Sequence, residues 1–235
     1  MVRKRKAIGG RKFGIVEGAV ARVKFPPLRD APWEHKWGEV GIGVVTSCGQ
    51  AIKGWEAKNE AIAEEAEVVK LFCQIPPITK LDNSLNTLKN CEQLSLSTNA
   101  IDRIGIVLNP PKLRILALGR NALKKLEKLD ELGSTLEQLW VSYNQITNLD
   151  GLSELQNLTT LYISNNNIKS WAELDKLASL PALKDILLVG NPIYDSFETP
   201  ELRRVEVLRH LPQLSKIDGQ MVKPAEREAA MAPPE

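Results

Sequence analysis

The sequence predicts an α/β solenoid: a right-handed coil of about six turns, each of 22–25 residues with one short parallel strand, closed by a helix at each end. Three observations carry this expectation. An apolar pattern recurs along the chain, an asparagine follows its strand portion at a nearly constant interval, and the flanking regions lose the pattern. The pattern reads L-x-x-L-x-L-x-x-N-x-L with apolar substitutes, over residues 91–101, 113–123, 136–146, 158–168 and 183–193. Its asparagines, Asn99, Asn121, Asn144, Asn166 and Asn191, stand 22, 23, 22 and 25 residues apart.

That period falls in the leucine-rich repeat range. In the L-x-L portion the two apolar side chains point inward and their neighbours outward, because strand side chains alternate with period two. The asparagine then sits where the chain turns away from the sheet and leaves backbone groups unpaired. Its amide, with two donors and an acceptor, is suited to satisfy them, so the asparagines read as buried scaffold.

Taken in order, residues 1–50 form a basic extension rich in glycine and proline, with Arg3, Lys4, Arg5 and Lys6 at its head and no sustained period. It reads as a disordered tail, a nucleic-acid or acidic-surface arm, or a transit-like segment. Residues 51–67 are expected to make the N-terminal cap helix, with Ile62, Ala66 and Val69 along one stripe. Residues 68–201 are the repeats. The first is degenerate, with Leu71 and Cys73 in the L-x-L positions and Pro76 in the asparagine slot.

Between repeats, Leu149, Leu152, Leu155 and Leu158 recur every third position, which suits 3₁₀ turns on the back of the sheet. Asn109-Pro110-Pro111 favours extended chain at one such link. Ser170 and Glu173 read as a capping box opening a longer helix through Leu174, Leu177 and Leu180. Residues 202–222 form the C-terminal cap, and 223–235, rich in Ala, Pro and Glu, read as a flexible tail.

Composition bounds the function. A hydrophobic content of 43%, 26% charged residues and a formal net charge of +2 are ordinary for a folded protein. No apolar run is long enough to span a bilayer. Cys48, Cys73 and Cys91 lie far apart without paired spacing, which disfavours disulfides and a zinc site. The histidines, His35 and His210, have no partner motif; G-x-S-x-G, H-E-x-x-H and the phosphate-binding G-x-x-x-x-G-K-[ST] are absent. A non-enzyme without metal or cofactor is expected.

The run Leu94-Ser95-Leu96-Ser97-Thr98-Asn99, then Leu118-Gly119-Arg120-Asn121, Leu139-Trp140-Val141-Ser142-Tyr143-Asn144, Leu161-Tyr162-Ile163-Ser164-Asn165-Asn166 and Gly190-Asn191-Pro192, resembles the leucine-rich light chain 1 family of outer-arm axonemal dyneins. The likeness covers residues 51–219. It implies a non-catalytic motor subunit of the cytoplasm and cytoskeleton, in the axoneme of a cilium or flagellum. Its partner is expected to be a dynein heavy chain, at the microtubule-binding domain of the stalk, with tubulin as a further partner and the chain a monomer within that complex.

The outward positions point to a binding face by themselves. Ile115, Trp140, Tyr162, Leu187 and Val189 fall there, and neighbouring large apolar groups on an open sheet are costly in water unless covered. A second candidate surface is the cap, where Arg203, Arg204, Arg209 and His210 lie close together and suit an acidic partner. Alternative readings are a leucine-rich adaptor for another protein, such as a phosphatase, and a nucleic-acid binder acting through the basic N-terminus, which predicts a steep salt dependence.

Overall fold

The structure, a computed structural model, describes residues 45–232 of the chain. Wherever the pattern places its first L-x-L leucine, the backbone extends for a few residues, and these strands lie side by side in chain order. β1 (Val68–Lys70), β2 (Gln93–Ser95), β3 (Ile115–Ala117), β4 (Gln138–Trp140), β5 (Thr160–Tyr162), β6 (Asp185–Leu187) and β7 (Lys216–Ile217) run parallel. β8 (Gln220–Met221) turns back antiparallel and ends the eight-stranded sheet.

The register places Val69, Leu94, Leu116, Leu139, Leu161, Ile186 and Ile217 in one inward column, all fully buried. Leu71, Leu96, Leu118, Val141, Ile163 and Leu188 line the next, equally buried. The core therefore runs as one strip beneath the sheet. Short 3₁₀ turns at Asp130–Leu132 and Asp150–Leu152 close its back. Gly151 is required there, since a Cβ on it would lie 1.8 Å from the Leu126 carbonyl oxygen. The Asn109-Pro110-Pro111 link is irregular, as prolines dictate.

Each repeat asparagine stitches its turn to the one before. Asn144 Nδ2 donates to Leu118 O at 3.0 Å and Val141 O at 2.9 Å, while its Oδ1 accepts from Leu123 N at 3.0 Å. Asn99, Asn121, Asn166 and Asn191 repeat this set one turn at a time. The residue before each asparagine is left-handed: Thr98, Arg120, Tyr143, Asn165 and Gly190, with φ of 56°, 55°, 60°, 53° and 82°. Sequence reading missed this constraint, although Asn165 and Gly190 are residue types suited to it.

The N-terminal cap departs from expectation. α1 runs Cys48–Asn59, not from residue 51 through 67, because Ser47 and Gln50 form a capping box and left-handed Glu60 stops the helix. Cys48, Ala51 and Ile52 are its buried face, whereas Ile62 is 57% exposed. Asp82 anchors it by accepting from Cys48 N at 2.8 Å. Burial pushes the Asp82 carboxyl up, but hydrogen bonds from Ser84, Cys48 and Gly49 outweigh this and hold it below its usual value.

The first repeat is also shifted. β1 pairs Val69 with Leu94, so Val69 and Leu71 occupy the inward positions and Cys73 is the exposed, left-handed residue with φ 54°. The asparagine slot falls on Gln74, not Pro76, and the extra loop residues then bring Ile78 N to Asn99 Oδ1 at 3.1 Å. At the other unusual link, α2 (Ala172–Asp175) is a single turn followed by 3₁₀ turn Lys176–Ser179. Glu173 does not complete a capping box; its carboxylate accepts from Leu149 N at 2.9 Å and pairs with Lys176.

At the C-terminal end α3 (Pro200–His210), capped by Thr199, covers the last repeat. Residues 224–231 are not a loose tail: α4 spans Pro224–Met231 and packs on α3. Arg204, only 6% exposed, joins the two helices. Its Nε and Nη2 meet the Glu226 carboxylate at 2.6 and 3.0 Å, and its remaining donors reach the carbonyls of Ile217, Gln220 and Met221. The hydrogen bonds from Arg204 hold the Glu226 carboxyl below its ordinary value. Among the described residues no helix is long and apolar enough to cross a membrane.

Candidate protein-binding surface

Because equivalent residues pair across parallel strands, the outward side chains form straight columns over the sheet. The central column reads Lys70, Ser95, Ala117, Trp140, Tyr162, Leu187, and the column beside it Val68, Gln93, Ile115, Gln138, Thr160, Asp185, Lys216. Trp140 and Tyr162 stack with ring centroids 6.1 Å apart and planes 19° from parallel. Both stand partly open to solvent, as do Ile115 and Leu187, and Val189 is 46% exposed. The structure thus brings the sheet-face residues of the sequence expectation onto one surface.

That surface is braced at one side. Tyr162 Oη donates to Asp185 Oδ2 at 3.1 Å, and Lys216 Nζ meets the same oxygen at 2.8 Å. Burial, then the Asp185 charge, raises the Tyr162 hydroxyl above its usual pKa, so it stays a donor at neutral pH. The bracing fixes one ring of the stack and leaves its face available. Ser142 and Ser164 stand in the next column of the same face, their hydroxyls 2.9 Å apart.

The cap cations behave differently. Arg204 is withdrawn from any partner by the Glu226 pair described above. Arg203 donates to Phe197 O at 3.0 Å and lies 5.6 Å from the Tyr194 ring centroid, and exposed Arg209 is paired with Glu206 at 2.8 Å. His210 stacks on Trp171 at 5.3 Å and contacts Asp175 and Glu206. The basic cluster read from α3 is therefore largely neutralised in place.

Sequence reading missed Val68, Phe72 and Ile75, which are 40%, 51% and 81% exposed at the first repeat. The register slip hid them: with Val69 inward, Val68 faces out on the edge strand. Burial pushes the thiols of Cys48 and Cys91 up to about 11, so both stay protonated. Among the described residues no group of His, Cys, Asp and Glu is placed to hold a metal ion. His35 and the basic residues of 1–44 lie outside the described residues.

Stacked parallel strands, an inward leucine strip and an asparagine ladder define a leucine-rich repeat protein. The family model "Leucine Rich repeats (2 copies)" matches residues 134–176. A leucine-rich repeat protein of Leptospira interrogans superposes with a TM-score of 0.52 at 22% identity, covering 65% of this chain and 37% of that one, which shows the fold alone. Dynein axonemal light chain 1 of Chlamydomonas reinhardtii is 49% identical over 189 residues, covering 79% of this chain and 95% of the relative. That of Homo sapiens is 45% identical over 183 residues, 78% and 96% of the two chains. The chain belongs to the axonemal dynein light chain 1 family.

Proposed function

We propose that this chain is a non-catalytic subunit of outer-arm axonemal dynein that binds a heavy chain through the outward sheet face. Its place is the axoneme of a cilium or flagellum, where it acts as a monomer within the motor complex. The heavy-chain contact lies at the microtubule-binding domain of the stalk, so occupancy of the sheet face regulates how the motor engages the microtubule. The observation that supports this reading is the Trp140–Tyr162 stack beside Leu187 on the outward sheet face, where all three side chains remain partly exposed. Aromatic anchors of this kind supply a large share of binding energy at protein interfaces.

The test is calorimetric titration of the purified chain with two heavy-chain fragments, the stalk with its microtubule-binding domain and the motor head without it. Saturable binding to the stalk fragment alone is expected. Binding only to the head, or to neither, contradicts the assignment. Microtubule co-sedimentation of the stalk fragment, with and without the chain, then measures the regulatory effect and any direct contact with tubulin.

A further inference from the structure

After each repeat asparagine the backbone turns under the sheet, and equivalent residues of successive repeats stack. Ala100 N donates to Ile78 O, Ala122 N to Ile101 O and Gln145 N to Leu123 O, at 2.9, 2.8 and 2.8 Å. Two residues beyond these buried anchors stand Lys80, Arg103 and Lys125, with Lys124 beside the last, all exposed. Lys128 follows, its Nζ 3.1 Å from Gly105 O in the preceding turn, which confirms that the side chains of these turns reach one another. The carboxylates interspersed are Asp102 and Glu127.

Some cations elsewhere are matched within the chain: Arg114 bridges Glu92 and Glu137, Lys176 bridges Asp150 and Glu173, and Lys216 pairs with Asp185. Scattered ones among the described residues, such as Lys53, Lys58, Lys89 and Lys112, enter no ion pair but do not line up at equivalent positions of consecutive turns. Among the described residues, Lys80, Arg103, Lys124 and Lys125 enter no ion pair. A row of like charges in consecutive repeats repels itself, and a bound anionic segment offsets that repulsion.

We propose that this ridge is a docking site for an acidic segment of a polypeptide, independent of the sheet face. Three turns at the spacing of neighbouring strands make a track of only about 10 Å. That is short for a nucleic acid, whose backbone binding draws on roughly 6–10 phosphate contacts. The ridge also lacks aromatic side chains on which bases stack. A membrane surface is disfavoured because the apolar residues alternating with the cations, Leu81, Ile104 and Leu126, are buried and have nothing to insert. A few carboxylates on one side of a peptide match both the length and the charge of the track.

The test uses the full chain and a fluorescein-labelled octaglutamate peptide, followed by anisotropy at about 50 and about 200 mM salt. Weak, salt-sensitive binding is expected. The variant Lys80→Glu, Arg103→Glu, Lys124→Glu, Lys125→Glu loses at least about tenfold of it, the sum of several exposed ion pairs. The equally charged control Lys53→Glu, Lys58→Glu, Lys89→Glu, Lys112→Glu keeps it, as does Trp140→Ala with Tyr162→Ala, which separates the ridge from the sheet face. Alanine replacements at the ridge positions guard against misfolding of the reversal variant. The proposal is overturned if the peptide does not bind, if ridge and control variants lose binding alike, or if a uridine oligonucleotide or phosphatidylserine vesicles occupy the ridge more tightly than the peptide.

Discussion

At the scale of single residues, the asparagine ladder holds the turns together, and the sheet-face aromatics carry the proposed recognition. Asn144 is buried and satisfies Leu118 O, Val141 O and Leu123 N at once. Asn144→Ala leaves those backbone groups unpaired, and thermal melts are expected to show a loss of about 1–3 kcal/mol. Partner affinity of the surviving folded protein should not change, since the amide lies under the turn. Gly151→Ala makes a sharper case. The new Cβ cannot coexist with Leu126 O in the present backbone, so the turn between β4 and β5 must shift, and a denaturant midpoint equal to the parent's would show that the close approach is wrong. The left-handed residue before each asparagine adds a third constraint, written in residues as different as Thr98, Arg120 and Tyr143, and for that reason hard to see as a pattern.

At the scale of elements, the strands were legible because L-x-L carries its own register and the asparagine marks where each strand ends. The candidate face was legible for the same reason: alternation alone sends Trp140, Tyr162 and Leu187 outward. What escaped were places where apolar spacing and hydrogen bonding disagree. Val68 and Val69 both suit a core position, and only pairing with β2 decides between them. Glu173 has capping-box spacing, yet the Leu149 N–H of the previous turn claims its carboxylate. The α1 boundary follows from Ser47 and Gln50, so a chain beginning at Val45 should melt higher than one beginning at Ala51, which lacks that cap and buried Cys48. The cap alone contributes on the order of 1 kcal/mol, and equal melting temperatures would contradict its role.

The α3–α4 clamp yields an element-scale pH effect. The carboxyl of Glu226 is held below its ordinary value of 4.5 by Arg204, so the clamp's contribution is complete above that value and is lost as pH falls through the lower, folded value. Glu226→Gln should remove this acid-side component and destabilise the protein at neutral pH, because it leaves the buried Arg204 charge unpaired. Parallel melts of parent and variant across the acid range check both signs: the gap between them narrows as pH drops. A gap independent of pH would mean that the pair contributes nothing through its charge.

At the scale of the whole molecule, a repeat array spreads its stability over nearest-neighbour interfaces, which leaves the outward face free to vary with little effect on folding. The inward side of the strands builds the core, and the proposed binding face lies on the outward side of the same strands. Replacing Trp140 and Tyr162 together by alanine tests that separation most directly, with affinity for the dynein heavy-chain stalk fragment as the readout and the thermal melt as control. The expected result is a nearly unchanged melting temperature and a loss of at least about 2 kcal/mol in binding, the scale of aromatic hot spots. Undiminished affinity in a variant whose fold is intact would contradict the claim that the sheet face is where this chain meets its motor.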